Sequence, residues 1–182
     1  KTSRVANIPE EGAALLVCNH QSLADALVIT ASCRRPIRFV MHYAIFDIPV
    51  LRFIFRSMKA IPIAGAKEAP ELLQRAYDEI AAALEDGQLV CIFPEGGLTR
   101  DGEIGAFRPG MSRILERTPV TVIPISLSGL WKSIFARNKQ VSLAFARMFP
   151  TVRLNVGNPV APASATPDAM RAAVMALQGE RR

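Results

Sequence analysis

Cysteine is scarce in this 182-residue chain: three residues, Cys18, Cys33 and Cys91, an odd number with no CxxC pair. That count excludes a disulfide framework and a structural zinc site, and it points to a reducing compartment. Long hydrophobic runs are missing as well. No uninterrupted apolar stretch approaches the ~20 residues that a bilayer-spanning helix needs, and no signal peptide opens the chain. Charge is thin, at 21% of residues against 50% hydrophobic. This excludes disorder as the overall state and lets a chain of this size bury a core without staples. With no repeat, low-complexity tract or dividing linker, residues 1–182 read as a single domain. Lys1 stands where a start methionine would, so a domain excised from a longer chain is expected.

Acidic residues are in deficit, 16 against 22 Lys and Arg, and the net charge is +6. Seventeen of the bases are Arg, and the stretch Arg137–Arg153 carries Arg137, Lys139, Arg147 and Arg153 with no acid. An Arg-rich surface suits phosphate groups, anionic lipid or an acidic partner; a solvated basic face accounts for the charge equally. Nucleic acid would fit the charge alone, but no nucleic-acid motif is present, so it is not expected as a partner.

What is present alternates in period. Ala13–Cys18, Ile37–Met41, Ala60–Ile63, Leu89–Phe93, Val120–Ser128 and Val152–Gly157 read as strands. Ser22–Cys33, Glu71–Asp86, Gly110–Arg117 and a Thr166-capped segment through Gln178 read as helices. Alternating strands and helices predict an α/β single domain with a largely parallel central sheet flanked by helices. Ala44–Met58 is apolar yet interrupted by Arg52 and Arg56, four apart. It suits either a buried helical hairpin or an interfacial surface with arginines at headgroup level.

Three segments carry chemistry-bearing residues. His20 follows the first strand, and in open parallel sheets sites gather at the carboxyl ends of strands. A histidine there is a candidate general base. Asp25, five residues on, can hold Nδ1 and leave Nε2 for substrate. Ser22 and Asp25 also resemble a capping box, which explains both of them but not His20. The second segment, Phe93-Pro94-Glu95-Gly96-Gly97-Leu98-Thr99-Arg100, follows another buried strand. Its glycines let backbone N–H groups approach an anion, and Arg100 adds charge. Arg108 stands at a helix N-terminus, a ready anion site. In the third segment, Val122-Ile123-Pro124-Ile125-Ser126, a proline inside a strand marks an edge or a bulge. Cys18 lacks any feature that would activate it and reads as core, Ser126 and Ser128 lack a nucleophile elbow, and His42 has no second ligand at metal spacing. No metal site is expected.

Taken in order, Asn19-His20-x4-Asp25, Phe93-Pro94-Glu95-Gly96 and Ile123-Pro124-Ile125 resemble the motifs of the glycerolipid acyltransferase superfamily, 1-acylglycerol-3-phosphate acyltransferases among them. The resemblance runs from about Arg4 to Val160. It implies His20 and Asp25 as catalytic residues, and Glu95, Gly96, Gly97, Thr99, Arg100, Arg108, Lys67 and Pro124 as substrate-binding ones. Two departures matter. The family's phosphate-handling motif ends in Arg, whereas Ala60–Lys67 offers only Lys67; and Gly97–Glu103 lacks the Thr-Arg-Ser sequence of phosphatidate-forming enzymes. The chain is therefore more similar to the acyltransferase domain of 2-acylglycerophosphoethanolamine acyltransferases, which implies a headgroup-bearing lysophospholipid as acceptor.

The implied reaction is direct acyl transfer from a thioester of acyl carrier protein or coenzyme A, at the cytoplasmic face of a membrane, with the chain peripheral or tethered through a missing segment. No cofactor is expected. Backbone donors near Pro124 are candidates for stabilising the oxyanion. The alternatives are lysophosphatidate as acceptor and a catalytically silent lipid-binding module.

Overall fold

The computed structural model describes residues 2–131 and 151–179. Among these described residues seven strands form one sheet: β1 (Thr2–Ser3), β2 (Ala14–Cys18), β3 (Ile37–His42), β4 (Ile61–Ile63), β5 (Leu89–Ile92), β6 (Val122–Ser128) and β7 (Arg153–Val156). Their spatial order is β1-β7-β6-β2-β5-β3-β4. Every pairing is parallel except β6 with β7. The expected α/β architecture with a largely parallel sheet is therefore found. The described helices are α1 (Asp25–Ser32), α2 (Pro49–Ser57), α3 (Pro70–Glu85), α4 (Gly110–Arg117) and α5 (Pro167–Gly179).

Each face of the sheet has its own core. Leu15 and Val17 of β2, with Val90 and Ile92 of β5, meet the buried faces of α3, α4 and α5. Ala14, Leu16 and Cys18, with Leu89 and Cys91, meet Ala26 and Ile29 of α1 and Phe55 of α2. A strand covered on both faces has no use for alternation, which is why β2 and β5 read as continuous apolar runs. α3, expected over Glu71–Asp86, is amphipathic: Ala76, Ile80 and Leu84 are buried, Pro70 opens the helix, and Gly87 follows its end at φ 74°. Thr166 caps α5 as expected, accepting Ala169 N–H at 3.2 Å.

Three differences have physical causes. β1, two residues long, carries no periodicity and was not expected from sequence. α1 begins at Asp25 rather than Ser22, because residues 22–24 form a turn. Pro124 lies on an interior strand, not an edge, and the bulge is what accommodates it. Ile125 pairs with Val156 and Val122 bridges Val160, so residues 157–159 face only Ile123 and Pro124. Gly157 N–H donates to the Pro124 carbonyl at 2.8 Å. The Gly157 carbonyl, which an ordinary residue at 124 would serve, instead accepts from Asn7 Nδ2 at 2.9 Å. A β-carbon on Gly157 would lie 2.7 Å from Pro124 Cγ, so the proline ring requires glycine opposite it.

Of the basic stretch, Arg153 is exposed on β7, while Arg137, Lys139 and Arg147 lie outside the described residues. No helix among the described residues is long and apolar enough to cross a membrane.

Candidate active site

β2 and β5 are parallel neighbours, so the chain leaves both at the same edge of the sheet. That shared exit brings the first two chemistry-bearing segments together. Asn19, the first residue past β2, is 1% exposed and continues the ladder with its side chain. Nδ2 donates to the Leu127 carbonyl at 2.9 Å, and Oδ1 accepts Leu127 N–H at 2.8 Å. The side-chain amide thereby replaces one peptide unit, frees the backbone to turn, and fixes where His20 emerges. Asn19→Ala would strand two buried backbone groups, and a loss of roughly 2–4 kcal/mol is expected in denaturant unfolding.

His20 and Asp25 form a dyad. Nδ1 lies 2.9 Å from Asp25 Oδ2, with the imidazole 14% exposed and the carboxylate fully buried. A carboxylate only accepts, so Nδ1 carries the hydrogen and the lone pair is on Nε2. The same Oδ2 accepts Gln21 N–H at 2.7 Å and Ser22 N–H at 2.9 Å. The bond to Ser22 N–H is the carboxylate half of the capping box; Ser22 Oγ takes Ala24 N–H instead, at 3.2 Å. Capping and dyad thus coexist in one carboxylate. Phe93 stacks on the imidazole, centroids 4.1 Å apart and planes 19° from parallel, which fixes the ring's remaining freedom.

Glu95 ties the two loops together. Its Oε1 accepts His20 N–H and its Oε2 accepts Gly105 N–H, each at 2.8 Å. Burial pushes its carboxyl up from the ordinary glutamate range, against the lowering effect of the two N–H groups. Thr99 N–H donates to the His20 carbonyl at 2.9 Å, a second tie. Gly96 turns the chain at φ 70°, and a β-carbon there would lie 2.5 Å from the Arg108 guanidinium. Arg108 therefore rests on the glycine's bare face, one loop away from His20. Burial pushes the Cys18 thiol well up, in keeping with its reading as a core residue.

His20, Asp25, Glu95, Gly96, Thr99 and Arg108 are thus gathered at one edge. Two of them do something other than expected. Glu95 spends both oxygens on backbone N–H groups and acts on His20's position. Thr99 spends its hydroxyl on its own loop, within 3.0 Å of Asp101 Oδ1, 2.8 Å of the Glu103 carbonyl and 3.0 Å of Gly102 N. Gly97 and Arg100 lie exposed in the same loop. Lys67 is exposed beyond β4, three strands across from β2. Pro124 is not at the site: it pairs with Val17, three residues before His20 and about 10 Å down the sheet. It carries no N–H itself, and the neighbours whose N–H groups were the candidate donors, Ile123 and Ile125, pair inside the sheet with Leu16 and Cys18. Sequence reasoning missed the tasks of Asn19 and Phe93. An asparagine between an apolar strand and a histidine was the available signal for the first; nothing in sequence marks a ring stack. Among the described residues no cluster of His, Cys, Asp and Glu could hold a metal ion.

The family model described as Acyltransferase matches residues 2–128, well over half the chain. A chloroplastic 1-acyl-sn-glycerol-3-phosphate acyltransferase of Arabidopsis thaliana is 30% identical over 129 residues, covering 69% of this chain and 35% of that protein. The 1-acyl-sn-glycerol-3-phosphate acyltransferase of Borreliella burgdorferi is 23% identical over 128 residues, covering 66% of this chain and 48% of that one. The chain thus spans only a third to a half of these relatives. The crystal structure of a 1-acyl-sn-glycerophosphate acyltransferase from Thermotoga maritima superposes with a TM-score of 0.75 at 24% identity, covering all of this chain and 72% of that one. That likeness shows the shared fold.

Proposed function

The chain belongs to the acyltransferase family, within the glycerolipid acyltransferase superfamily, and on that premise we propose that it moves a fatty acyl group from an acyl thioester to the free hydroxyl of a lysophospholipid. The observation that carries this reading is the His20–Asp25 dyad, with Nδ1 held at 2.9 Å from the buried carboxylate, which leaves Nε2 as the ring nitrogen available to a substrate. Nε2 removes the proton of the acceptor hydroxyl as its oxygen attacks the thioester carbonyl. The C–O bond forms, the C–S bond breaks, and the imidazolium returns its proton to the departing thiolate. Asp25 stabilises the imidazolium while it exists. The chemistry calls for no cofactor.

The names of the relatives favour lysophosphatidate as acceptor over the headgroup-bearing lysophospholipid suggested by the motif departures. Arg108 against Gly96, with Arg100 on the same loop, supplies cations for its phosphate. Lys67, at the sheet's far edge, is the weaker candidate. Lysophosphatidylethanolamine remains the second reading, because Ala60–Lys67 carries no Arg. Acyl carrier protein and coenzyme A are both anionic donors that suit a basic surface. Work at a membrane face, peripheral or tethered, follows from the acceptor being a lipid.

The test presents labelled acyl-coenzyme A and acyl carrier protein thioesters in turn, with lysophosphatidate and lysophosphatidylethanolamine in parallel. Product from lysophosphatidate at ten times the rate of the other acceptor, on the order of 1.4 kcal/mol in transition-state discrimination, is the expected result. A reversed preference moves the acceptor to the second reading. Vesicle binding by folded protein that yields no product would leave a lipid-binding module.

A further inference from the structure

The helix α2 leaves one large apolar ring, Phe53, in solvent beside two arginines, at the edge of the sheet where β3 ends. β4 re-enters the sheet level with the last residues of β3, Val40 with Ile61 and His42 with Ile63, so α2 stays near the carboxyl half of the sheet. At 100° per residue, Phe55 points inward and is 1% exposed, while Leu51 and Ile54 pack partly buried beside it. Arg52, Phe53 and Arg56 share the outward half, and Phe53 is 76% exposed. Ile48 and Tyr43, on the turn leading into the helix, are exposed too. From Ile48 to Lys67 there are four bases, Arg52, Arg56, Lys59 and Lys67, and no acid; Asp47 and Glu68 bound the run.

We propose that α2 lies flat on an anionic lipid bilayer, with Phe53 among the acyl chains and Arg52 and Arg56 at the headgroup phosphates. This rests on the lipid acceptor of the proposed function, which must reach His20 from such a surface. Charge decides between occupants. A second copy would set Arg52, Arg56 and Lys59 against their own kind, over far less apolar area than a stable dimer buries. An acidic protein would satisfy the cations and leave the large exposed ring at the centre of the face unused. A bilayer satisfies both, with hydrocarbon below and phosphates at the depth of the arginines.

The experiment is flotation of the protein with vesicles of phosphatidylcholine alone and of phosphatidylcholine with phosphatidylglycerol. Phe53→Ser is expected to weaken partitioning on the order of tenfold on both, and Arg56→Gln about fivefold on the anionic vesicles only. Phe53→Trp is expected to shift its emission to the blue on vesicles and to be quenched by brominated acyl chains. Both side chains are exposed, so unchanged thermal unfolding is expected in each variant. Equal partitioning of wild type and Phe53→Ser overturns the proposal. So does a vesicle-free dimer that Phe53→Ser dissolves, or a raised KM for the acyl carrier protein thioester with unchanged vesicle binding. The two readings fail separately. Partitioning that depends on Phe53 without acyl transfer refutes the catalysis and upholds the surface. Turnover of a short-chain, water-soluble lysophosphatidate with Phe53-independent partitioning does the reverse.

Discussion

His20→Ala is expected to reduce acyl transfer on the order of 10³-fold or more, the scale of a positioned general base, with the fold kept. The side chain is removable because the backbone, not the imidazole, carries the structure here. His20 N–H stays bonded to Glu95 and its carbonyl to Thr99. Asp25 behaves differently, because its Oδ2 also holds Gln21 and Ser22 N–H. Asp25→Ala would release the turn before α1 and destabilise the fold. Asp25→Asn can keep one oxygen at the position of Oδ2, and with it all three hydrogen bonds, and place its amide nitrogen where Oδ1 now lies buried without a hydrogen-bond partner. It keeps the Nδ1–H tautomer and loses the charge that stabilises the imidazolium, so a loss smaller than that of His20→Ala is expected. Steady-state rates and thermal unfolding of the three variants check this order. A folded His20→Ala protein with near-wild-type turnover would sink the mechanism.

The fold was legible where burial is written in apolar period. β2, β5 and α3 bury what their patterns promised, within a residue or two at the ends. Their parallel pairing follows from alternation with helices, and it alone brings His20 and Glu95 to one edge. What escaped sequence depends on contacts between segments far apart in the chain. Glu95 reads as an acceptor ligand in its motif, yet its oxygens are committed to backbone groups 75 residues before and 10 residues after it. Pro124 reads as part of the site because motif order is all that sequence offers, whereas the register with Val17 puts it inside the sheet. Ala44–Met58 fitted two readings because its composition mixes both faces. The structure divides them, Phe55 inward and Phe53 outward.

Glu95→Ala should lower kcat on the order of 10²-fold with little change in KM for the acceptor, because it lets His20 drift from its geometry without touching substrate. A residue that bound the acceptor would show the opposite split. Glu95→Gln should recover most of the loss. Its single carbonyl oxygen can accept the half-buried His20 N–H and turn its amide to Gly105, whose N–H lies at the exposed end. The same pair gives a pH test with a definite sign. Burial raises the folded-state pKa of Glu95 above the ordinary 4.5. Its protonation therefore favours the folded state: that contribution is full below 4.5 and is lost as pH rises through the raised pKa. Stability of the wild type relative to Glu95→Gln should then climb as pH falls through this window. The contribution of Glu95 to kcat should stay nearly flat over the same window, because a neutral carboxyl, like the Gln amide, still accepts His20 N–H through its carbonyl oxygen. A relative stability that changes with pH while kcat of wild type and Glu95→Gln stays parallel marks a side chain that positions His20 without needing its charge, and denaturant midpoints beside kcat of the two proteins across the acid limb measure both.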